Sequence, residues 1–192
     1  MTNLYFVRHA KPDFSIKDDL TRPLTEDGKW DCKQVTGFLL KRNITKVFSS
    51  PFKRAIDTIK DFSDLSGLEI NIIEDFRERK VADIWIEDFD VFAEKQWDDF
   101  HYKISGGESL NEVQQRNIRA LKYILKENNN ENIVIGTHGT ALSTIINYYD
   151  KNFGYSQFKR IKNLMPFIVG ISFNGENVIE IEEFELKQKS SP

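Results

Sequence analysis

Near the N-terminus, four apolar residues, Leu4-Tyr5-Phe6-Val7, run straight into Arg8-His9-Ala10. So short an apolar run cannot make a helix and reads as a buried strand. Open α/β sheets bind their ligands at the C-terminal ends of such strands. A guanidinium and an imidazole at that end are therefore placed for chemistry, provided that later segments bring the remaining parts.

The rest of the chain alternates between strand and helix patterns. Thr25 with Glu26 and Asp27 reads as an N-cap with first-turn acids, and Cys32, Val35, Phe38 and Leu39 give that helix an apolar face up to about Arg42. Residues 46–49 read as a strand. Pro51 suits the first position of a second helix, with Ala55, Ile59 and Phe62 along one side and Gly67 closing it. Residues 69–73 alternate like a third strand. Ser109-Leu110-Asn111-Glu112 fits a capping box that opens a helix with Leu110, Val113, Leu121 and Ile124 inward. Residues 132–135 are another buried strand, running through Gly136-Thr137-His138-Gly139 into a further helix. From Phe167 the alternation turns at Asn174-Gly175 and returns, a hairpin signal. The tail from Lys187 is polar and is expected to fray.

Between them, residues 74–105 are acidic and rich in aromatics (Trp85, Phe89, Phe92, Trp97, Phe100, Tyr102). Two short helices over the sheet's edge are expected there, as a lid-like insertion. With no repeat and no composition shift, residues 1–192 form one domain, a three-layer α/β/α arrangement around a mostly parallel central sheet.

The 27 basic and 30 acidic residues leave a formal charge of −3, which argues against a nucleic-acid surface but not against a local arginine cluster for an anion. Cys32 is the single cysteine, so no internal disulfide exists and a reducing compartment is expected. No basic segment precedes the first apolar run and no stretch has the length of a membrane span, so the expected location is cytoplasmic, away from membranes. Three scattered histidines offer no metal-ligand spacing, and neither a metal nor a cofactor is expected.

Three strand-to-helix junctions carry reactive residues: Arg8-His9, Arg54 after Ser49-Ser50-Pro51, and His138 before Gly139. Converging at one sheet edge, two arginines, two histidines and helix N-termini would surround a dianionic phosphate on several sides.

These segments resemble the histidine phosphatase superfamily, also called phosphoglycerate-mutase-like, over nearly the whole chain. Arg8-His9-Ala10 is similar to its Arg-His-Gly motif, with alanine in place of glycine. Pro23-Leu24-Thr25 with Gly28, the run from Ser49 through Arg54 to Thr58, Phe76-Arg77-Glu78, Gly106-Gly107-Glu108-Ser109 and Thr137-His138-Gly139 resemble its other segments, in the same order. The resemblance implies a phosphoglycerate-mutase-like fold and a metal-independent phosphomonoesterase with a phosphohistidine on His9.

By the same resemblance, Arg8 and Arg54 clamp the phosphate and His138, cationic beside it, donates to the transferring oxygens. Ser15, six residues after His9 where many relatives carry Asn, is assigned a supporting hydrogen bond, and an ordinary loop serine is an equal alternative. Glu78 is the matched proton donor, with Asp83 and Glu108 as fallbacks. Arg77, Arg79 and Lys80 flank Glu78, and their charges would lower its pKa unless they point away. Such a chain takes a small phosphorylated substrate. Two alternatives stand beside the phosphatase: a cofactor-dependent phosphoglycerate mutase, usually longer in the middle, and a phosphate-binding regulatory module without turnover. The sequence sets no oligomeric state, although the C-terminal hairpin offers an edge strand.

Overall fold

In this computed structural model, residues 1–83 and 86–186 are described. Trp85 and the tail from Lys187, both read from sequence above, lie outside them. The elements follow in the order β1 (Thr2–Arg8), α1 (Glu26–Leu39), β2 (Lys46–Ser49), α2 (Lys53–Ser66), β3 (Ile70–Ile72), a 3-10 turn (Glu74–Phe76), α3 (Phe89–Asp98), α4 (Leu110–Glu127), β4 (Asn132–Thr137), α5 (Gly139–Tyr149), α6 (Tyr155–Ile161), β5 (Phe167–Asn174) and β6 (Asn177–Phe184).

One six-stranded sheet runs in the order β3-β2-β4-β1-β5-β6. The β1–β4, β2–β4 and β2–β3 pairs are parallel, and β5 is antiparallel to both its neighbours, so five strands share a direction. Alternation along the central strands sorts side chains into two cores, as a buried pleated sheet requires. Leu4, Phe6, Ile133, Ile135, Phe167 and Val169 face a core completed by α4, α5 and α6. Val7, Val134, Val47 and Ile168 face the other, completed by Val35 and Leu39 of α1 and Ile59 and Phe62 of α2. The three-layer α/β/α reading holds. Among the described residues no helix is long and apolar enough to cross a membrane.

Local signals place most boundaries. Thr25 accepts the N–H of Gly28 at 3.1 Å as an N-cap, and Ser109 and Glu112 form the capping box. Gly67 closes α2 with φ of +72°, a conformation glycine adopts without strain.

Three details differ from the sequence reading. Pro51 lies outside α2, which begins at Lys53, because Ser50-Pro51-Phe52 makes a turn in which Ser50 Oγ accepts the Phe52 N–H at 3.3 Å. Among the described residues, 74–105 hold two short helical elements as expected, but one of them is only a three-residue 3-10 turn. Moreover, α3 packs its Trp97 against Phe153 and Phe158 of the α6 region, so its partner is a helix layer and not the sheet's edge. The seven-residue α6 was not anticipated, since its pattern is too short to show a period.

β1 and β4 lie side by side, yet β1 leads into α1 on one face of the sheet and β4 into α5 on the other. Chains that leave adjacent strands in opposite directions open a crevice at their C-terminal ends. Arg8 and His9 at the end of β1 and His138 at the end of β4 sit at that opening.

Candidate active site

Register brings the three junctions to one level. Arg8 pairs with Thr137 and Ser49 with Gly136. The ladder continues one step further, with His9 N–H donating to Thr137 O at 3.0 Å and Ser50 N–H to Gly136 O at 2.9 Å. His9, His138 and Ser50 therefore emerge together from three adjacent strands. The two imidazole rings stand edge to face with centroids 5.3 Å apart. All of Arg8, His9, Arg54 and His138 are buried.

Each arginine is anchored by one end of its fork. Arg8 Nη1 donates to the Ile161 and Leu164 carbonyls at 2.7 and 3.2 Å, at the end of α6, while its Nε is buried without a partner among the described residues. Gly139 lets that guanidinium lie close, since a Cβ there would come within 3.1 Å of Arg8 Cζ. Arg54 Nη1 donates to the Asp19 carbonyl at 2.6 Å and stands 3.1 Å from its carboxylate. A fork held at one end keeps its remaining N–H groups fixed in direction, which suits a tetrahedral anion.

His9 is oriented by its own chain. Nδ1 lies 2.8 Å from the Ala10 carbonyl, an oxygen that can only accept, so Nδ1 carries the proton and Nε2 keeps its lone pair. Positive φ among the described non-glycine residues occurs only at Asn43 and Asn130, so Ala10 strains nothing where relatives carry glycine. Its N–H donates to Thr58 Oγ1 at 2.9 Å, tying the loop to α2.

Burial, then the charges of Arg54 and Arg8, push the His9 pKa well below its ordinary value. Burial, then Arg54, His9 and Arg8, do the same to His138. In the free protein burial and the two guanidinium groups therefore favour a neutral His138.

This has a consequence for stability. As pH falls below about 6.5, the unfolded chain takes up protons on both imidazoles that the folded chain refuses. The stabilisation is complete above that value and is lost on acidification, with a slope approaching about 1.4 kcal/mol per pH unit for each histidine. Denaturant unfolding between pH 7 and pH 5 is expected to show this loss, and His138→Gln to reduce the slope by about one proton. An unchanged slope in that variant would mean that His138 is already charged in the fold.

Glu78 lies across the N-terminus of α5. Its Oε2 accepts the Thr140 N–H at 3.0 Å, and Oε1 accepts the N–H groups of Ala141 at 3.1 Å and Arg79 at 2.8 Å. Its charge acts on both Arg8 and Arg54, so it shares their hollow. Two of the three flanking cations are paired elsewhere, while the Glu78 charge still acts on the buried Arg79. Arg77 reaches Glu108 at 3.1 Å, Lys80 pairs with Asp83, and Arg79 donates to Gln96 between the rings of Phe89 and Phe92.

The two fallback acids are engaged elsewhere. Glu108 receives both ends of the Arg116 fork at 2.9 and 3.0 Å and the Lys80 N–H at 3.0 Å. Burial alone would raise its pKa, but these bonds and the charges of Arg116 and Arg77 outweigh that and hold it below the ordinary value. Arg116 also donates to the carbonyls of Asp75, Arg77 and Glu78, clamping the segment that presents Glu78. Asp83 is exposed on its loop.

Ser15 is not brought to the imidazoles. It is exposed, and both its N–H and its hydroxyl donate to Asp13 Oδ1, at 3.0 and 2.7 Å. Arg22, to which no role was assigned from sequence, is close enough to lower the His9 pKa, and it pairs with Asp19 at 2.8 Å while Asp19 also meets Arg54. Its position beside Pro23-Leu24-Thr25 was the available signal. Cys32 is buried on α1, and burial followed by the Asp31 charge pushes its thiol up to about 12, as expected of a core residue.

Known proteins resemble this chain in sequence and in fold. The chain is 27% identical over 155 residues to phosphoserine phosphatase 1 of Hydrogenobacter thermophilus, covering 72% of this chain and 71% of that one. It is 29% identical over 157 residues to phosphoglycerate mutase-like protein 4 of Arabidopsis thaliana, covering 72% and 67%. Phosphoserine phosphatase of Entamoeba histolytica, solved in complex with 3-phosphoglyceric acid, superimposes with a TM-score of 0.78 at 21% identity over 98% of both chains. The sequence model of the histidine phosphatase superfamily (branch 1) matches residues 4–179. With that span matched, the chain belongs to the histidine phosphatase superfamily.

Proposed function

We propose that this protein hydrolyses small phosphomonoesters through a phosphohistidine formed on His9. The observation that carries the reading is the bare Nε2 of His9, created by the Nδ1–H bond to Ala10 O, in one hollow with Arg8, Arg54 and His138. Nε2 attacks phosphorus in line, the N–P bond forms, and the P–O bond to the leaving group breaks. Arg8, Arg54 and a His138 N–H take up the charge on the three equatorial oxygens. Glu78 protonates the departing alkoxide and then takes a proton from the water that attacks phosphohistidine, which returns the lone pair to Nε2. These donors supply the charge stabilisation that a metal provides in other phosphatases, so turnover is expected in the presence of a chelator.

Hydrolysis is favoured over mutase transfer because phosphatases stand among the relatives and the 74–105 segment is short for a mutase. That segment, with α3 over the buried Arg79, is the part of the single domain that meets the leaving group. Phosphoserine and 3-phosphoglycerate, named with relatives, head the panel of substrates to assay.

The test is capture of the intermediate. Rapid quenching with a 32P-labelled substrate is expected to leave acid-labile, alkali-stable label on the peptide that contains His9. Label on another residue, or turnover with no labelled protein under burst conditions, would remove this mechanism.

A further inference from the structure

Ser50 is wholly buried, and its hydroxyl stands 2.6 Å from Nε2 of His138. The same oxygen accepts the Phe52 N–H at 3.3 Å. On the far side of the ring, His138 Nδ1 is buried and has no partner among the described residues. His138 occupies the N-cap position of α5, yet its side chain caps nothing. This ring therefore has one nitrogen engaged and one waiting.

Proton accounting separates the two tautomers. With the proton on Nε2, that N–H donates to Ser50, the serine proton then has no acceptor, and the Nδ1 lone pair has no donor. With the serine O–H donating to Nε2, the imidazole proton lies on Nδ1, and that N–H alone is unmet. The second arrangement leaves one group unsatisfied where the first leaves two, and unmet buried polar groups are costly. It also leaves a donor, which an arriving anionic oxygen satisfies, instead of a lone pair, which would repel it.

We propose that Ser50 is a positioning residue that holds His138 as its Nδ1–H tautomer, presenting that N–H to the transferring phosphoryl oxygens; this rests on the phosphatase reading above. A hydroxyl suits the task because it can turn round. It donates to the neutral ring of the free protein and accepts from Nε2 if a bound dianion draws a second proton onto the ring. A carboxylate could only accept and would impose the opposite tautomer. The groups acting on the ring are His9 and Arg8 from the end of β1, Arg54 from α2 and Arg116 from α4, and with burial they keep it neutral until an anion arrives. His9 is the counterpart. There the Nδ1–H is consumed by the Ala10 carbonyl and Nε2 is left bare, so one tautomer serves a nucleophile on one ring and a donor on the other.

The chain has 3 histidines, so 15N-histidine labelling with two-bond 15N–1H correlation spectra resolves each ring. In the ligand-free wild type, His138 is expected as Nδ1–H. In Ser50→Ala that preference is expected to be lost, with inhibition by inorganic phosphate weakened about tenfold, the size of one hydrogen bond to an anion. Ser50→Thr, which keeps the hydroxyl, restores the tautomer. A wild-type His138 found as Nε2–H overturns the proposal, whether or not the alanine variant folds. So does a Ser50→Ala protein in which tautomer or phosphate affinity is unaltered. Failure of the phosphohistidine reading is seen separately, in the labelling experiment, and does not affect the tautomer of the free protein.

Discussion

His9→Ala is expected to lower kcat for an aryl phosphate by roughly 10⁴-fold or more, the scale of losing a nucleophile outright. Inorganic phosphate is nevertheless expected to bind the variant, because the donors that recognise it remain. Arg8 is anchored on the Ile161 and Leu164 carbonyls and Arg54 on Asp19, and neither anchor involves His9. The substitution does remove the Nδ1 bond to Ala10 O, but the Ala10 backbone is also held through its N–H on Thr58. Two measurements therefore separate chemistry from binding: kcat with an activated ester, and phosphate affinity by calorimetry. Turnover that survives in His9→Ala would mean that His9 is one more donor and that a different group attacks. Loss of phosphate affinity together with turnover would mean a collapsed pocket, and thermal melting would show it.

How much of this was legible beforehand follows from how local each signal is. The first strand, the capping box at Ser109 and the turn at Gly175 are written in adjacent residues, and each stands where the sequence put it. The convergence of Arg8, His9 and His138 was legible because each lies at the end of a strand in the parallel part of the sheet, and Arg54 follows β2 closely, in the first turn of α2. Register then fixes their level whatever the loops do. Contacts made across the fold were not legible. Nothing near Arg8 announces that Ile161 and Leu164 will hold its fork, and nothing near Glu78 announces the N–H groups of Thr140 and Ala141. The charges beside Glu78 in sequence are turned aside by pairings of both kinds: Arg77 finds Glu108 on another segment, and Lys80 finds Asp83 on its own loop. Ser15 was placed by counting residues from His9 along a loop, and a loop carries no register. Ser50 lay in plain view in the second arginine segment, but its partner, His138, is 88 residues away.

The second large effect concerns the proton. Glu78→Gln is expected to slow turnover of alkyl phosphates by about 10² to 10⁴-fold, the usual range for a positioned acid–base group. Aryl phosphates should behave differently, because an aryl oxide departs with little protonation. Their first step is expected to stay fast in the variant, giving a burst of phenol equal to the enzyme present. A slow phase follows, since the water that attacks phosphohistidine has lost its base. Alkyl esters should show no burst, being stalled at the first step. The substitution carries a local cost as well. Whichever way the amide turns, its NH₂ meets a backbone N–H of Thr140 or Ala141 where a carboxylate oxygen had accepted, and a lost buried bond of this kind costs about 1–3 kcal/mol. Melting curves measure that cost independently of the kinetics. With Glu108 clasped by Arg116 and Asp83 exposed beside Lys80, neither of these two acids is free to take over without rearrangement. Equal losses for alkyl and aryl esters, with no burst for either, would take the proton transfer away from Glu78.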